Sequence, residues 1–165
     1  MSDSLKKAFN DQIAIEFAAS YLYLQIAADF EARNLPGFAN WMRGQAEEER
    51  GHALRFYDFL IERGVDVRLQ PIQAPDVDVS SPLAAFEHVL EHEREVTRSI
   101  NDLYRQANDE GDYASVPLLQ WFVTEQVEEE AAVSQIVERL RLAGDESSAL
   151  LILDHEVGTR RPEGA

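Results

Sequence analysis

The amino-acid sequence predicts an all-α protein, a four-helix bundle with one long crossover connection and a short fifth helix at the C-terminus. Four long segments repeat apolar residues at steps of three and four, which is the period of an amphipathic helix. Between the second and third segments, residues 65–81 contain Pro71 and Pro75 and have no helical period. An extended chain of this length reaches about 56–61 Å, more than the roughly 40 Å of the second segment as a helix. The connector can therefore run along the bundle, which makes helices two and three parallel.

A short helix-breaking sequence separates the first two helices. We expect the first helix over about residues 5–33 and the second over about residues 38–63. Between them lies Leu35-Pro36-Gly37. The second helix is expected to end at Arg63-Gly64, because a cationic residue followed by glycine is typical of a helix C-terminus. The short connection makes these two helices an antiparallel hairpin.

The third and fourth helices are expected over about residues 82–109 and about residues 116–142. Ser81 is a suitable N-cap and Pro82 a suitable first residue for the third helix. Gly144 marks the end of the fourth helix.

A short apolar segment and a tail follow the bundle. The segment, residues 146–157, is too short and apolar to be a stable helix alone. It must pack on its own bundle or in an assembly. Residues 158–165 are expected to be a disordered tail. We expect residues 1–165 to form a single domain, with the bundle over about 5–142.

Composition excludes several classes of protein. The 165 residues include no cysteine, so disulfides, thiolate catalysis and zinc–thiolate sites are excluded. The chain has no apolar run of 18 or more residues, so we expect no transmembrane helix, and without an apparent signal sequence we expect a cytoplasmic protein. Fifteen Lys and Arg against 31 Asp and Glu give a net charge of −16, which disfavours nucleic acid and anionic membranes. Such a surface is ordinary for an acidic protein, or it gathers cations.

Each of the four helical stripes is interrupted near its middle by acidic, amide or imidazole side chains. The interrupting residues are Glu16 in the first, Glu49 and His52 in the second, Glu93 in the third, and Gln126 and Glu129 in the fourth. Each lies within about one turn of its helix midpoint, an axial offset of roughly 5 Å or less. If the four stripes face one core, these side chains converge in its middle.

Several carboxylates and one imidazole in an apolar core predict a metal site. Without a cation the carboxylates repel one another and shift each other's pKa. Oxygen and nitrogen ligands without sulfur suit iron or manganese, and also accept zinc or cobalt. Glu49 is central enough to bridge two metal ions, and His52 lies one turn on to cap one of them. Two alternatives stay open, a buried polar network that fixes helix register and a metal-free acid–base pair.

Four segments of the chain resemble the non-haem bacterial ferritins. They are residues 12–23 (QIAIEFAASYLY), 45–52 (QAEEERGH), 91–93 (EHE) and 119–130 (LQWFVTEQVEEE), within a resemblance that extends over residues 9–157. The resemblance implies a ferritin-like fold and a di-iron ferroxidase centre. The implied ligands of the first iron ion are Glu16, Glu49 and His52, and those of the second are Glu49, Glu93 and Glu129, with Gln126 beside them.

The resemblance also implies residues around this centre. Glu48, Glu125 and Glu128 match the acids of a third iron site of lower affinity. Tyr23 matches the tyrosine near the di-iron site and Trp121 the neighbouring tryptophan, although packing alone also accounts for two such aromatic residues.

The function implied by the resemblance is iron storage and detoxification. Fe(II) would be oxidised by dioxygen or hydrogen peroxide and stored as Fe(III) mineral inside a hollow homo-oligomeric cage of twenty-four subunits, in which the fifth helix lines the fourfold axis.

The sequence departs from two related groups of proteins, the bacterioferritins and the animal ferritins. The haem-binding methionine of bacterioferritins falls at Arg50, so no haem is expected. The acids that line the threefold channel of animal ferritins fall at Val116 and Leu119, which puts that entry route in question.

Three other functions remain open at this point. A di-iron oxidase or peroxidase would act on another substrate and store nothing. A DNA-protecting mini-ferritin would place its sites between subunits, whereas this chain carries the candidate ligands on all four of its own helices. A structural bundle would bind no metal.

Overall fold

The structure is a computed structural model and describes residues 1–159 of the chain. Within that range the chain forms no strand and five helices: α1 (Asp3–Ala32), α2 (Pro36–Glu62), α3 (Pro82–Asp109), α4 (Val116–Ala143) and α5 (Ser147–Gly158). The all-α prediction is confirmed, with helix ends that agree to within about two residues. Of the predicted tail, Gly158 belongs to α5, and residues 160–165 lie outside the described residues.

The buried apolar side chains form two clusters, one at each end of the bundle. The α5-side cluster includes Phe30, Phe38, Phe86 and Val137 from the four long helices, and the far cluster includes Phe9, Phe56, Ile100 and Phe122 from the same helices. The chain order shows that α1 and α4 run from the far cluster to the α5-side cluster, and α2 and α3 run the other way. Helices α2 and α3 are therefore parallel, as predicted.

The connector between α2 and α3 runs along the bundle. Val65 and Val67 pack against the far cluster, whereas Val77 and Val79 pack against the α5-side cluster. Near the start of the connector, the Asn10 side-chain oxygen accepts a hydrogen bond from the Arg68 backbone N–H at 2.6 Å. These contacts confirm the predicted crossover.

Local sequence signals account for several helix ends. Ser2 and Ser81 accept hydrogen bonds from the backbone N–H groups three residues on, at 3.1 and 3.0 Å. At the end of α2, Gly64 has φ +66°, and backbone bonds from Gly64 to Ile61 and from Val65 to Leu60 close the turn.

Helix α1 is long and apolar enough in composition to span a membrane. Half of its most apolar stretch is buried within the bundle. Packing against the other helices accounts for this apolar character.

Helix α5 docks on the N-terminus of α2, whose own N-cap residue, Leu35, makes no side-chain cap. Asp154 of α5 replaces that cap, because its carboxylate accepts hydrogen bonds from the backbone N–H groups of Gly37 at 3.1 Å and Phe38 at 2.8 Å. A Cβ on Gly37 would lie 1.8 Å from the Asp154 carbonyl oxygen. The close approach of the two helices therefore requires glycine at residue 37.

Candidate metal centre

A polar layer crosses the bundle between the two apolar clusters. Its predicted members are almost fully buried, with exposed fractions of 0% for Glu16, 1% for Glu49 and Glu93, 4% for His52, 2% for Gln126 and 5% for Glu129. The helices bring them together because each lies on the inward face at mid-helix. The convergence predicted from their positions is therefore present.

Two groups of side chains in the layer have the geometry of a metal site. Glu16, Glu49 and His52 each offer a ligand atom, and these atoms lie within 4.8 Å of one another. The second group is Glu48, His52, Glu125 and Glu129, within the same limit. His52 belongs to both groups, so the two sites adjoin at its ring.

Two carboxylate oxygens in the layer are buried and have no hydrogen-bond partner among the described residues. They are Oε2 of Glu16 and Oε1 of Glu49. An unsatisfied buried polar atom costs about 1–3 kcal/mol, and more when it is charged. A cation between the two residues would satisfy both oxygens.

Burial and mutual repulsion raise the pKa values of the carboxyl groups. Burial is the main cause at each. It raises the pKa of Glu16 to about 7, although hydrogen bonds with Glu49 and Gln12 lower it. It raises the pKa of Glu129 to about 9, and the charges of neighbouring carboxylates, Glu93 first, add to this shift. The pKa of Glu49 lies well above its ordinary value, through burial and then the charges of Glu93 and Glu16. The layer therefore holds protons that a bound cation would displace.

His52 is held neutral, the form in which imidazole binds metal. Burial, and then the positive charge of Arg55, lower its pKa to about 4. Its Nδ1 lies 3.2 Å from Glu49 Oε2. The ring packs edge to face against Trp121, with 5.6 Å between centroids. Trp121 therefore adjoins the layer, as the resemblance implied.

Tyr23 and Gln126 both contact Glu93. The Tyr23 hydroxyl donates to Oε1 of Glu93. The Gln126 amide donates to Oε2 at 3.1 Å. Glu93 lies outside both of the groups described above, and it interacts electrostatically with Glu49 and Glu129. Its role as a ligand stays a prediction.

The implied third site is divided between buried and exposed residues. Glu48 and Glu125 are half-buried and belong to the second group, together with His52 and Glu129. Glu128 is exposed and lies outside that group. All three acids line a cavity of about 700 Å³ that also reaches His52, Arg55, Asp58 and Trp121. The cavity joins the layer to the surface between α2 and α4.

Sequence reasoning missed several residues that contact the layer. Gln12 donates to Glu16 at 2.8 Å, Gln45 donates to Glu129 at 3.0 Å, and the Arg55 guanidinium lies 3.8 Å from the Trp121 ring centroid. Gln12 precedes Glu16 by one helical turn, a spacing that was available as a signal. The stacking of Arg55 on Trp121 could not be predicted from sequence spacing, because the two residues lie on different helices.

Leu119, which aligns with a channel acid of animal ferritins, is fully buried in the far cluster. Its side chain therefore faces the core of its own bundle, so it lines no channel. Val116 is half-buried at the start of α4.

Comparison with known proteins identifies relatives over nearly the whole chain. The family model described as a ferritin-like domain matches residues 6–143. The bacterial non-heme ferritins of Staphylococcus aureus and Bacteroides fragilis are each 39% identical over 160 residues, which cover 97% of this chain and 96% and 99% of those proteins. An open pore ferritin from the archaeon Archaeoglobus fulgidus is 48% identical, with a TM-score of 0.95 over 98% of both chains. An engineered closed form of that ferritin has a TM-score of 0.94.

Proposed function

The chain belongs to the ferritin family, and from this membership and the polar layer we propose that it oxidises Fe(II) inside each bundle and stores Fe(III) mineral in a multi-subunit cage. One observation carries the proposal. Glu16 and Glu49 each bury an oxygen without a partner, beside a histidine that is held neutral. Carboxylates that repel one another at the centre of a bundle destabilise the fold when no cation is present. The same carboxylates form a binding site for a metal cation.

In this proposal the two iron ions share Glu49. The proposed ligands of the first ion are Glu16, Glu49 and His52, and those of the second are Glu49, Glu93 and Glu129, with Gln126 and Tyr23 beside Glu93. Binding displaces the protons that the raised pKa values retain. Each Fe(II) then loses one electron. Dioxygen accepts both electrons and two protons and leaves as hydrogen peroxide, or peroxide accepts them and two protons and leaves as two water molecules.

The acidic cavity next to His52 is the proposed path between the centre and a mineral store. Glu48 and Glu125 would hold a third iron ion in transit, with Glu128 nearer the surface. Four of the nine lining residues are acidic, and a single one, Arg55, is cationic. Such a lining suits a metal cation better than an organic substrate, and it gives no support to an oxidase that acts on another molecule.

Helix α5 supports the proposal of a cage. Leu153 and Val157 are buried against the bundle, whereas Leu151 and Ile152 are 58% and 61% exposed. A helix with apolar residues on both sides has one face left for a neighbouring subunit. Twenty-four subunits, with α5 lining the fourfold axis, is the arrangement we propose.

The remaining parts of the proposal rest on the sequence. The net charge of −16 and the absence of cysteine support a cytoplasmic protein without nucleic-acid or membrane partners. Arg50, which is exposed, occupies the position that matches the haem-binding methionine of bacterioferritins. This difference supports a protein without haem.

The test is Fe(II) oxidation followed optically after mixing two Fe(II) per chain with oxygenated buffer. We expect a fast phase in the wild-type protein and its loss in Glu49→Ala, because the variant lacks the shared ligand. Glu47→Ala is the matched control, since Glu47 is exposed on the same helix. Size-exclusion chromatography of iron-loaded protein should give a large assembly that retains iron. A Glu49→Ala variant with the wild-type initial rate, or a small assembly that retains no iron, would contradict the proposal.

A further inference from the structure

Gln12 is a buried amide in direct contact with a proposed ligand. It lies on α1 one turn before Glu16 and is 1% exposed. Its Nε2 donates to Glu16 Oε1 at 2.8 Å. This bond occupies one oxygen of the carboxylate and leaves Oε2 as the buried oxygen without a partner.

Ser99 on α3 holds the other end of the Gln12 amide, whose NH₂ faces the accepting carboxylate of Glu16. The Ser99 hydroxyl donates to the Gln12 side-chain oxygen at 2.6 Å. An amide oxygen only accepts hydrogen bonds, so the hydroxyl must be the donor. If the amide were flipped, its oxygen would face the Glu16 carboxylate and its NH₂ would face the hydroxyl. The observed orientation satisfies both ends.

The same kind of contact recurs at the other two proposed terminal ligands. Gln45 donates to Glu129 Oε2 at 3.0 Å, and Gln126 donates to Glu93 Oε2 at 3.1 Å. Glu49, the proposed shared ligand, receives no amide hydrogen bond from the described residues, and His52 Nδ1 lies 3.2 Å from its Oε2. An amide thus holds one oxygen of each terminal carboxylate, and the shared carboxylate is left free of amides.

We propose that Gln12, oriented by Ser99, is a positioning residue that presents Oε2 of Glu16 to the metal ion bound with Glu49 and His52. The inference rests on the proposed metal centre. A carboxylate held in its binding orientation loses less freedom when the metal arrives. Partners that orient metal ligands typically contribute about 10- to 100-fold in metal affinity.

The experiment is a titration of metal-free protein with Co(II), read by calorimetry and by the visible absorption of the bound ion. Gln12→Leu keeps the approximate size of the side chain and removes the donor. We expect about 10- to 100-fold weaker binding at one of the two Co(II) positions and a changed spectrum at that position. Ser99→Ala should shift affinity and spectrum in the same direction by a smaller factor. Ser99→Thr, which keeps the hydroxyl, should restore both.

Asn10→Leu is the matched control. Asn10 is a buried amide on the same helix, and it binds the backbone of the connector at Arg68. This variant should lower the melting temperature and leave Co(II) affinity and spectrum unchanged.

The outcomes separate the inference from the proposed function. Wild-type affinity and spectrum in Gln12→Leu would overturn the inference alone. If Gln12→Leu does not fold, equal Co(II) binding by Ser99→Ala and Ser99→Thr would overturn it. A wild-type protein that binds no Co(II), or a Glu49→Ala variant that binds it as the wild type does, would overturn the proposed centre and the inference together.

Discussion

The apolar ends of the bundle and the polar layer between them are formed by the same four helices, but they contribute to the free energy of folding with opposite signs. At the ends, aromatic rings fill the core. Phe56 stacks on Phe122 with 4.0 Å between centroids, and Phe38 packs against Phe86 at 5.3 Å. In the layer, the equivalent inward positions carry acids whose pKa values are raised by burial. The ends gain free energy of folding by removing apolar surface from water, and the layer loses some of it.

The difference shows how one fold combines stability with a reactive site. A layer of repelling carboxylates is tolerated because two apolar clusters flank it and hold the helices in place. Buried polar groups that destabilise a core are expected at functional sites. Mutations in the two regions should therefore change the free energy of unfolding in opposite directions as well as by different amounts.

Phe38→Ala should have the largest effect on stability. Phe38 is fully buried and contacts Phe30 and Phe86, so truncation leaves a cavity in the α5-side cluster. We expect a loss of about 3–5 kcal/mol in the free energy of unfolding. Urea denaturation of the metal-free protein at a fixed subunit concentration measures this loss. Leu142→Ala, at an 88% exposed residue, is the control and should be close to neutral.

The stability of the metal-free protein should fall between about pH 5 and pH 9. Folding raises the pKa of Glu16 to about 7 and that of Glu129 to about 9, so the folded state favours the protonated forms. Their contribution is complete below the unfolded pKa and is lost as pH rises through the folded values. His52 acts in the opposite direction, because its folded pKa is lowered to about 4.

The expected loss across this range is of the order of a few kcal/mol, since each pKa unit corresponds to about 1.4 kcal/mol. Melting temperatures of the metal-free protein at pH 5.5 and 8.5 provide the measurement. Addition of Zn(II) at pH 7 should raise the melting temperature and release protons to an unbuffered solution. A melting temperature that rises steadily to pH 9 without metal would contradict the assigned environment of these carboxyl groups.

Glu49→Gln should stabilise the metal-free protein, the opposite of Phe38→Ala. The substitution keeps the shape of the side chain and removes the buried acid with the strongly raised pKa. We expect a gain of about 1–3 kcal/mol at pH 8, because the unfolded carboxyl is ionised at that pH whereas burial disfavours the ionised form in the folded protein. Chemical denaturation with and without Zn(II) should show that the variant also loses most of the stabilisation by metal. Glu47→Gln is exposed and should change neither quantity appreciably.

Asp154→Ala tests a contact at the end of the molecule and should have the smallest effect. It removes the carboxylate that caps Gly37 and Phe38, which typically costs about 1 kcal/mol. We expect faster proteolysis between α4 and α5 and smaller assemblies, with unchanged binding of Co(II) in the layer. Asp145→Ala, at an exposed position in the same connection, is the control. Equal proteolysis of the two variants would mean that the cap does not hold α5.

Most of the fold and the centre of the site could be predicted because their signals are local and periodic. Pro36, Gly64 and Ser81 mark helix ends by their own conformational preferences, and steps of three and four locate the inward positions. Glu16, Glu49 and His52 were recognisable because acidic and imidazole side chains interrupt an apolar stripe at equal depth.

The contacts that could not be predicted join residues far apart in sequence. Asp154 caps a helix that begins more than one hundred residues earlier, and the capping of α2 has no local signal in the sequence around Leu35. Ser99 orients Gln12 across two helices. Sequence spacing also treats Glu125 and Glu128 alike, whereas helix rotation leaves Glu125 half-buried and Glu128 exposed.

The most direct test of the two-metal centre is an anomalous difference map from a crystal of the protein soaked anaerobically in Fe(II), recorded at the iron absorption edge. We expect two peaks per chain in the polar layer, about 3.5–4 Å apart as in other two-metal sites. One should lie among Glu16, Glu49 and His52, and the other among Glu49, Glu93 and Glu129. A polar layer without anomalous density, in crystals that bind iron elsewhere, would show that the layer is not a two-metal centre.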